Sequence, residues 1–511
     1  MKKLLQVLTH RLVLVSLLIA VQIAVIAVMM LQFRQYIMYF NTICTILSIV
    51  VVLVIVNRPT NPGYKIAWII PILVMPVFGW MLYLLFGGNR MTRRMRRKMH
   101  QIAQRTQAAL APAPAVIDRM AQQSLEAAHQ SQYIQNYAFC PPYQRTESLY
   151  LPGGEAQFSR MIEDLSNAKH FIFMEYFIIH EGLMWNTLLD ILVRKAKEGV
   201  DVRLIYDDMG CITTLPYGYN KTVEKLGIPC CVFNPYIPVV SARLNNRDHR
   251  KIAVIDGDVG YTGGINLADE YINEYERFGY WKDAGIRLRG EAVWNLTVMF
   301  LTMWDYIRGT QEDYTKYRPG QYAPLPVGAD GFVQPYCDAP LDEEEVGETV
   351  YLNLITRAKR YIYIATPYLI IDHEMTTALC NAAKSGVDVR IITPHIPDKK
   401  TVFAVTRANY PELVRSGVRI YEFTPGFIHA KTVVADDAYA TVGTINFDYR
   451  SLYLHYECGV WLYQTESVAA VKHDFEATLP SCAEIRAEDC RKTPLPLRLL
   501  RAVLRIFAPL M

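Results

Sequence analysis

The chain has 511 residues, of which 51% are hydrophobic and 20% are charged, and its formal net charge is +4. This length exceeds what one compact core serves and suffices for two or three domains. The composition is too apolar for a disordered chain and too polar for a chain that lies wholly within a membrane. We therefore expect an apolar anchor followed by a polar body.

Three apolar runs open the chain, at residues 12–33, 37–56 and 66–86. Each is close to the ~20 residues that a helix needs to cross the hydrocarbon core of a bilayer. Basic residues precede the first run and cluster again at residues 90–98, and the positive-inside rule places both groups in the cytoplasm. We therefore predict N-terminal transmembrane helices: two spans, followed by a third, membrane-embedded segment that contains Pro71 and Pro76.

The ten cysteines are scattered along the chain and form no Cys-x-x-Cys pair. This spacing does not indicate a zinc site or a disulfide framework. Free thiols are typical of a reducing compartment. Together with the charge pattern, they predict an integral, multi-pass membrane protein whose polar body is cytoplasmic.

The polar body repeats itself with an offset of 187 to 190 residues. Residues 168–173 match residues 358–363, and residues 199–205 match residues 386–392. Strand, helix and strand recur in both copies, which favours two α/β units. We therefore predict a duplicated α/β fold in which two helix-covered mixed sheets are related by a pseudo-twofold axis. Ligand sites are common at such interfaces.

These patterns divide the chain into five parts, the last an amphipathic helix. Its arginines and leucines fall on different faces, which favours either a helix in the membrane interface or one packed on the body. The predicted parts are a membrane anchor (1–90), a basic juxtamembrane segment and helical linker (91–145), a first half (146–320), a second half (321–490) and the C-terminal helix (491–511).

Each half contains one copy of the pattern His-x-Lys-x-x-x-x-Asp. The two copies are His249, Lys251 and Asp256, and His429, Lys431 and Asp436. Apolar residues between lysine and aspartate predict a strand, on which positions two apart face the same side. A Gly-x-x-Asn turn follows each copy and ends at Asn266 or Asn446.

This constellation suits the chemistry of a phosphodiester. One imidazole can attack phosphorus to form a phosphohistidine, and a second can protonate the leaving alkoxide. Two lysines and two asparagines can hold the charge that develops on the nonbridging oxygens. Because these cations are side chains, we expect no metal and no other cofactor. Asp283 and Glu457 each open a predicted strand after the asparagine and are candidates to orient the imidazoles.

Over about residues 148–479 these motifs resemble the phospholipase D superfamily, whose members share one active site between two halves. The resemblance implies that His249 is the nucleophile and His429 the general acid and base. Asp256 and Asp436 complete the motif and are grouped with the catalytic residues, with a role that is chemical or structural. Many relatives have serine where this chain has Gly264 and Thr444. We therefore expect a phosphate contact from the Thr444 hydroxyl, and from the backbone N–H at Gly264.

The segments NPGYKIAWIIPILVMPVFGWMLYLLFGG and GTINFDYRSLYLHYECGVWL resemble bacterial cardiolipin synthases. This implies an enzyme of the bacterial inner membrane that transfers a phosphatidyl group from one phosphatidylglycerol to another and releases glycerol. A membrane-bound phospholipase D hydrolase and a phosphatidylserine synthase remain alternatives with a different acceptor. A nuclease is disfavoured, and no nucleic-acid partner is expected, because the basic cluster lies beside the apolar runs instead of in the polar body. The oligomeric state, the acyl-chain preference and the choice of phosphatidylglycerol or phosphatidylethanolamine as second substrate stay open.

Overall fold

The computed structural model describes residues 24, 27–28, 37–58, 60–75, 79–87, 101, 103–235, 246–340 and 344–510. These residues form two compact units. The smaller unit holds the described residues up to 87, residue 235 and residues 506–510. The larger unit, called the body below, holds the other described residues.

The smaller unit is helical. Asn61 caps its second helix by accepting a hydrogen bond from the backbone N–H of Gly63 at 2.9 Å. Ile55, Trp68, Ile72 and Tyr83 form its buried core. Its helices are α1 (Ile37–Val56), α2 (Pro62–Val74) and α3 (Gly79–Phe86), with a 3₁₀ turn at Ala508–Leu510.

The expected transmembrane helices are not found: among the residues described, no helix combines the length and the apolar character that crossing a membrane requires. The third apolar run is not one helix, because α2 ends after 13 residues and α3 has 8. At 1.5 Å per residue, both are shorter than the ~30 Å hydrocarbon core. The second run forms α1. The first run lies almost entirely outside the described residues. The prediction is therefore wrong for the part of the chain that the structure describes.

The body contains two mixed sheets: the seven strands of the first correspond in order to seven strands of the second, which has β20 as an additional edge strand. The first sheet has the order β1-β9-β7-β6-β2-β3-β4, and the second has the order β10-β19-β17-β16-β11-β13-β14-β20. The first half contributes β1 (Thr146–Leu151), β2 (Phe171–Tyr176), β3 (Asp201–Asp207), β4 (Cys230–Phe233), β5 (Arg247–Asp248), β6 (Ile252–Ile255), β7 (Val259–Gly263), β8 (Tyr280–Lys282) and β9 (Gly285–Gly290). The second half contributes β10 (Phe332–Asp338), β11 (Tyr361–Ala365), β12 (Leu369–Ile370), β13 (Asp388–Pro394), β14 (Arg419–Phe423), β15 (Gly426–Ile428), β16 (Thr432–Ala435), β17 (Tyr439–Gly443), β18 (Phe447–Asp448), β19 (His455–Tyr463) and β20 (Cys482–Ile485).

The pairing confirms the predicted duplicated α/β architecture. Strands β2, β3 and β4 run parallel, and β6, β7, β9 and β1 add antiparallel neighbours. Helices cover both sheets, and α9 is buried along most of its length. The helices are α4 (Pro114–Gln123), α5 (Leu125–Tyr137), α6 (Gly154–Asn167), α7 (Leu183–Lys197), α8 (Tyr219–Lys225), α9 (Val293–Arg308), α10 (Val346–Arg357), α11 (His373–Lys384), α12 (Lys400–Arg415), α13 (Tyr449–Tyr453), α14 (Glu466–Thr478), α15 (Ala487–Arg491) and α16 (Leu495–Ile506).

The two halves of the body meet along equivalent strands. Strands β7 and β9 pack against β17 and β19, where Thr262 and Cys458 approach to 3.3 Å. Two short parallel pairings then cross between the halves: β5 pairs with β19, and β15 pairs with β8. Each half thus supplies a backbone edge to which the other half adds a segment.

The two motif aspartates lie in the hairpin turns at the far ends of β6 and β16. Both adopt left-handed φ angles, 50° at Asp256 and 56° at Asp436. The Asp256 carboxylate accepts hydrogen bonds at 2.7–2.8 Å from the backbone N–H groups of three successive residues, Lys169, His170 and Phe171. Asp436 makes the equivalent bonds to residues 359–361. Each aspartate therefore fixes the hairpin to the start of the central strand β2 or β11.

Replacing Asp256 by alanine is expected to lower the free energy of unfolding by about 2–4 kcal/mol. The substitution removes charge-assisted hydrogen bonds and leaves a residue with a Cβ at a positive φ. Asp256→Asn should cost less, because asparagine tolerates that φ and keeps one acceptor oxygen.

Chemical denaturation of the purified protein followed by circular dichroism measures this loss. The exposed Asp118→Ala on α4 is the control and should change stability by less than about 0.5 kcal/mol. Equal stability of Asp256→Ala and the parent chain would contradict the structural role.

Candidate functional site

Each motif histidine is held by the backbone of the opposite half. The His249 N–H donates to the Tyr456 carbonyl at 2.9 Å, and the His429 N–H donates to the Lys282 carbonyl at 2.6 Å. The predicted motif strands begin only at Ile252 and Thr432, just after each lysine. The chain before them is drawn away from its own sheet because it pairs across the interface.

The orienting carboxylates are exchanged between the halves. His249 Nδ1 lies 2.9 and 3.0 Å from the Glu457 carboxylate oxygens, and His429 Nδ1 lies 2.8 Å from Asp283 Oδ2. All four side chains are buried. A carboxylate only accepts hydrogen bonds, so each Nδ1 carries the proton. Each neutral ring is thereby left with an unprotonated Nε2.

The burial of the two imidazoles sets their protonation. Desolvation lowers the pKa of His249 to about 3 and that of His429 to about 4, although the facing carboxylates oppose this shift. Burial alone would raise the pKa of Glu457, but the charge of His249 and its hydrogen bond hold that pKa well below its usual range. The pKa of Asp283 is also lowered, against the effect of burial, by His429 and Lys431. At neutral pH both pairs therefore consist of a neutral imidazole and a carboxylate.

The two motif lysines are almost completely buried, and each donates from Nζ to the carbonyl of its own histidine, at 2.6 Å for Lys251. Burial lowers the pKa of Lys251 to about 8. Burial lowers the pKa of Lys431 to about 7, and the nearby charge of Lys251 contributes to this shift. For both ammonium groups, burial outweighs the attraction of the nearby carboxylates. A bound anion would add attraction and so raise both pKa values.

The two turn asparagines differ in their contacts. The Asn266 carboxamide accepts from the Ile178 N–H at 3.0 Å and donates to the Tyr271 hydroxyl at 2.7 Å. Asn446 donates its backbone N–H to Ser451 Oγ at 2.9 Å. Within the described part of the chain, its side-chain Oδ1 is buried without a hydrogen-bond partner. The site is therefore not symmetric at this position.

Gly264 and Thr444 lie beside the orienting carboxylates. Their backbone N–H groups donate to the carbonyls of Ala284 and Cys458, both at 2.9 Å. The Thr444 hydroxyl donates to Glu457 Oε2. A Cβ at Gly264 would lie 2.1 Å from Asp283 Oδ1, so only glycine fits there. The two backbone N–H groups and the Thr444 hydroxyl therefore all donate within the protein instead of being free for the expected contact to phosphate. The Thr444 hydroxyl holds Glu457, and the missing side chain at Gly264 leaves room for Asp283.

The motif aspartates do not reach this cluster. Asp256 and Asp436 follow β6 and β16, whereas the histidines precede these strands. Four residues of strand stand between each lysine and its aspartate, which places the two residues about 16 Å apart at the rise of a strand. Grouping these aspartates with the catalytic residues is therefore corrected: they anchor the hairpins.

His455 is a residue of this site that the repeated motif does not include. Its ring centroid lies 5.6 Å from that of His249, and its Nδ1 lies 3.7 Å from Glu457 Oε1. Among the described residues, neither ring nitrogen has a hydrogen-bond partner. Its position two residues before Glu457 on β19 places both side chains on one face of the strand. This two-residue spacing in the sequence could have indicated that His455 lies beside Glu457.

The surroundings of the two catalytic candidates also differ. His429 lies among three aromatic rings, those of Tyr271, Trp281 and Phe427, at centroid distances of 5.5, 5.3 and 5.9 Å. His249 contacts the ring of Phe177 at 4.9 Å and has His455 on another side. Each half-site therefore contains one imidazole–carboxylate pair, but different side chains surround the two imidazoles.

One group of side chains has ligand atoms close enough to hold a metal ion. Atoms of His249, His455 and Glu457 lie within 4.8 Å of one another. Glu457, however, already accepts hydrogen bonds from His249, Thr444 and Ser451. The contacts of this carboxylate are those of an orienting group, and the absence of a metal from the mechanism stays a prediction.

The chain matches known protein families over most of its length. The family described as "Cardiolipin synthase, PLD-like domain" matches residues 161–284 and 351–479. The family "Phospholipase_D-nuclease N-terminal" matches residues 46–88. The two PLD-like matches fall on the two halves of the body.

Two relatives that match over most of their length are described as cardiolipin synthases, and a third has no described function. A cardiolipin synthase of a Geobacillus species is 36% identical over 467 residues, covering 90% of this chain and 91% of the relative. Cardiolipin synthase 2 of Bacillus cereus is 35% identical over 475 residues, covering 90% of this chain and 89% of the relative. An uncharacterized protein of Streptococcus mutans is 43% identical over 463 residues, covering 89% of this chain and 98% of the relative.

A solved structure supports the fold independently. Phosphatidylserine synthase of Haemophilus influenzae superimposes with a TM-score of 0.55 at 17% identity, covering 75% of this chain and 98% of that one. At that identity the similarity establishes architecture alone. Combined with the matched halves and the full-length relatives, it leads to one conclusion. This chain belongs to the bacterial cardiolipin synthase family of the phospholipase D superfamily.

Proposed function

We propose that this chain is a phosphatidyltransferase that forms cardiolipin from two molecules of phosphatidylglycerol and releases glycerol. Full-length relatives described as cardiolipin synthases support this assignment. The structural observation that carries it is the exchange of His249–Glu457 and His429–Asp283 pairs between the halves, beside two buried lysines. The enzyme acts on phospholipids at a membrane.

In the first step, Nε2 of His249 attacks the phosphorus of one phosphatidylglycerol. The P–N bond forms as the bond between phosphorus and the glycerol oxygen breaks. His429, protonated on Nε2, gives its proton to that oxygen, and glycerol leaves. The pKa of about 4 makes the protonated form of His429 rare in the free enzyme, and a bound phosphate anion would raise this pKa.

In the second step, a hydroxyl of a second phosphatidylglycerol attacks the phosphohistidine. Neutral His429 now accepts the proton of that hydroxyl, a P–O bond forms and the P–N bond to His249 breaks. The products are cardiolipin and regenerated enzyme. Glu457 and Asp283 hold the protons on the Nδ1 atoms throughout and stabilise each imidazolium as it forms.

Lys251 and Lys431 neutralise the charge on the nonbridging oxygens. Asn446 is the better placed of the two asparagines for a phosphate contact: the Asn266 side chain is held by two hydrogen bonds, whereas the Asn446 oxygen has no partner among the described residues. The contact itself would be donated by the Asn446 side-chain NH2 group. His455 is proposed as a positioning residue for Glu457 and, through it, for His249.

The alternatives differ in the acceptor: water for a hydrolase and serine for a phosphatidylserine synthase. The resemblance to phosphatidylserine synthase concerns the fold, whereas the full-length relatives favour a lipid acceptor. We place the catalytic body on the cytoplasmic side of a bacterial inner membrane. None of the ten cysteines, all of which lie in the described residues, forms a disulfide bond, which is consistent with a reducing compartment.

The two histidine variants are expected to fail differently. His249→Ala lacks the nucleophile, so it should form no covalent lipid adduct. His429→Ala should accumulate whatever adduct it forms, because no base assists the second step. Either variant should lose at least the ~10²–10⁴-fold typical of general acid–base catalysis. The measurement is trapping with phosphorus-labelled phosphatidylglycerol and an alkaline quench, under which phosphohistidine survives.

His129→Ala is the matched control for this experiment. His129 is exposed on α5 and lies outside the site, so the variant should label and turn over like the parent enzyme. Label found on His429 and never on His249 would reverse the two roles. Separating the lipid products in the same experiment distinguishes cardiolipin from phosphatidic acid, the product of a hydrolase.

The dependence of kcat/KM on pH should show a basic limb due to Lys431. Its pKa in the free enzyme is about 7, so the fraction that is protonated, and with it kcat/KM, falls as pH rises through 7. The basic limb of kcat should lie at higher pH, because bound phosphate favours the protonated lysine. The acidic limb should lie near pH 3, where the nucleophile His249 gains a proton.

Lys431→Arg tests this assignment. Arginine stays protonated over the whole range, so the basic limb of kcat/KM should move up to the pKa of Lys251, about 8, whatever the loss of activity at pH 7. The exposed Lys197→Arg should leave the profile unchanged. A basic limb that stays in place in Lys431→Arg would assign it to another group.

Catalysis is expected to need no metal ion, because side chains supply the cations and imidazoles. Neither half-site supplies the several oxygen ligands that magnesium prefers. Dialysis against a chelator followed by an assay in metal-free buffer should leave activity unchanged. Activity that is lost on dialysis and restored only by added magnesium would contradict the mechanism.

A further inference from the structure

A second cationic site lies in the body, away from the histidines. A cavity of about 510 Å³ opens between α12, α15 and α16. None of the residues that line it belongs to the catalytic cluster, and among the described residues no carboxylate lines it. Six arginines do: Arg407, Arg415, Arg491, Arg498, Arg501 and Arg505.

Only two of these arginines have a carboxylate partner within the described residues. Arg407 forms a bidentate pair with Glu422, which also accepts from His395 and Tyr410. Arg505 lies 3.4 Å from Glu412. Glu422 thus already accepts from three side chains, and the other four guanidinium groups of the cavity form no ion pair with a carboxylate among the described residues.

The remaining arginines are held by weak or neutral acceptors. Arg415 donates to the Pro411 carbonyl at 2.9 Å, and Arg498 donates to the Arg491 carbonyl. Arg501 lies 3.4 Å from the Thr493 hydroxyl, and its Nε is buried without a partner. The pKa of Arg501 is lowered by burial and by the charge of Arg407. The arginines therefore repel one another in the absence of an anion.

The same helix presents an apolar face to solvent. Leu495, Leu499, Leu500 and Val503 of α16 are all more than half exposed. A helix with arginines on one side and exposed leucines on another is typical of one that lies in the membrane interface. The headgroup phosphates of anionic lipids are found at that depth. Nucleic acid or free phosphate would satisfy the arginines but leave the apolar face in water.

We propose that this arginine-lined cavity binds the phosphate of an anionic membrane phospholipid while the exposed leucines of α16 enter the lipid layer. Guanidinium groups match phosphate oxygens in bidentate geometry. The cavity volume lies within the range of small-molecule sites. The chain would thus carry a lipid site separate from the one at which chemistry occurs.

The test uses the full-length His249→Ala protein in neutral detergent micelles, so that binding is read without turnover. Dioctanoyl phosphatidic acid is titrated in, and hydrogen–deuterium exchange of residues 400–415 and 487–506 is followed. The lipid should slow exchange in both segments. Dioctanoyl phosphatidylcholine and inorganic phosphate at the same concentrations should not.

The triple variant Arg415→Gln, Arg498→Gln and Arg501→Gln should raise the half-saturating lipid concentration at least tenfold. A matched triple of exposed arginines, Arg119→Gln, Arg160→Gln and Arg194→Gln, makes the same change in charge and should not alter it. If the cavity triple fails to fold, Arg498→Gln alone should still weaken binding several-fold.

Three results would overturn the proposal. Undiminished lipid binding by the arginine variants would show that the cavity is not the site. Equal protection by phosphatidylcholine would show that the apolar face alone binds lipid. Equal protection by inorganic phosphate, or by a short oligonucleotide, would show that the ligand is not a lipid. Because turnover is absent, none of these results depends on the assigned reaction.

Discussion

The buried imidazole–carboxylate pairs are the constraint on which the rest of the body depends. Burying a carboxylate without a partner costs several kcal/mol, and Glu457 and Asp283 are both fully buried. Each pairs with a motif histidine of the opposite half. Neither half can therefore satisfy its own charged groups alone, and correct docking of the halves is required for the site to exist.

The surrounding structure maintains these pairs. The crossing pairings β5–β19 and β15–β8 place each histidine against the partner half. Gly264 leaves the space that Asp283 occupies, and the Thr444 hydroxyl holds Glu457. At the other end of each motif, Asp256 and Asp436 fix the hairpins. The motif therefore combines two roles: its histidine end forms the pairs at which we propose that the chemistry occurs, and its aspartate end anchors the hairpin.

Duplication has produced equivalent frameworks with unequal surroundings. Both halves keep the histidine, the lysine and an exchanged carboxylate, but only His429 is enclosed by Tyr271, Trp281 and Phe427. Only the second half adds β20 and the helices that form the arginine-lined cavity. The two imidazoles can thus perform different tasks in one reaction, because environment and not residue type sets their protonation.

The sequence by itself determined the duplication, the α/β class and the identities of the paired histidines, lysines and carboxylates, because these follow from local periodicity and from two matched copies of one motif. Only the tertiary structure decided which carboxylate serves which histidine, that His455 joins Glu457, and that the motif aspartates lie away from the chemistry. Such contacts join residues far apart in the chain, as His249 and Glu457 are, and no local pattern encodes them. The apolar runs likewise predicted membrane-spanning helices, but composition does not fix where a helix ends, and α2 stops at Val74.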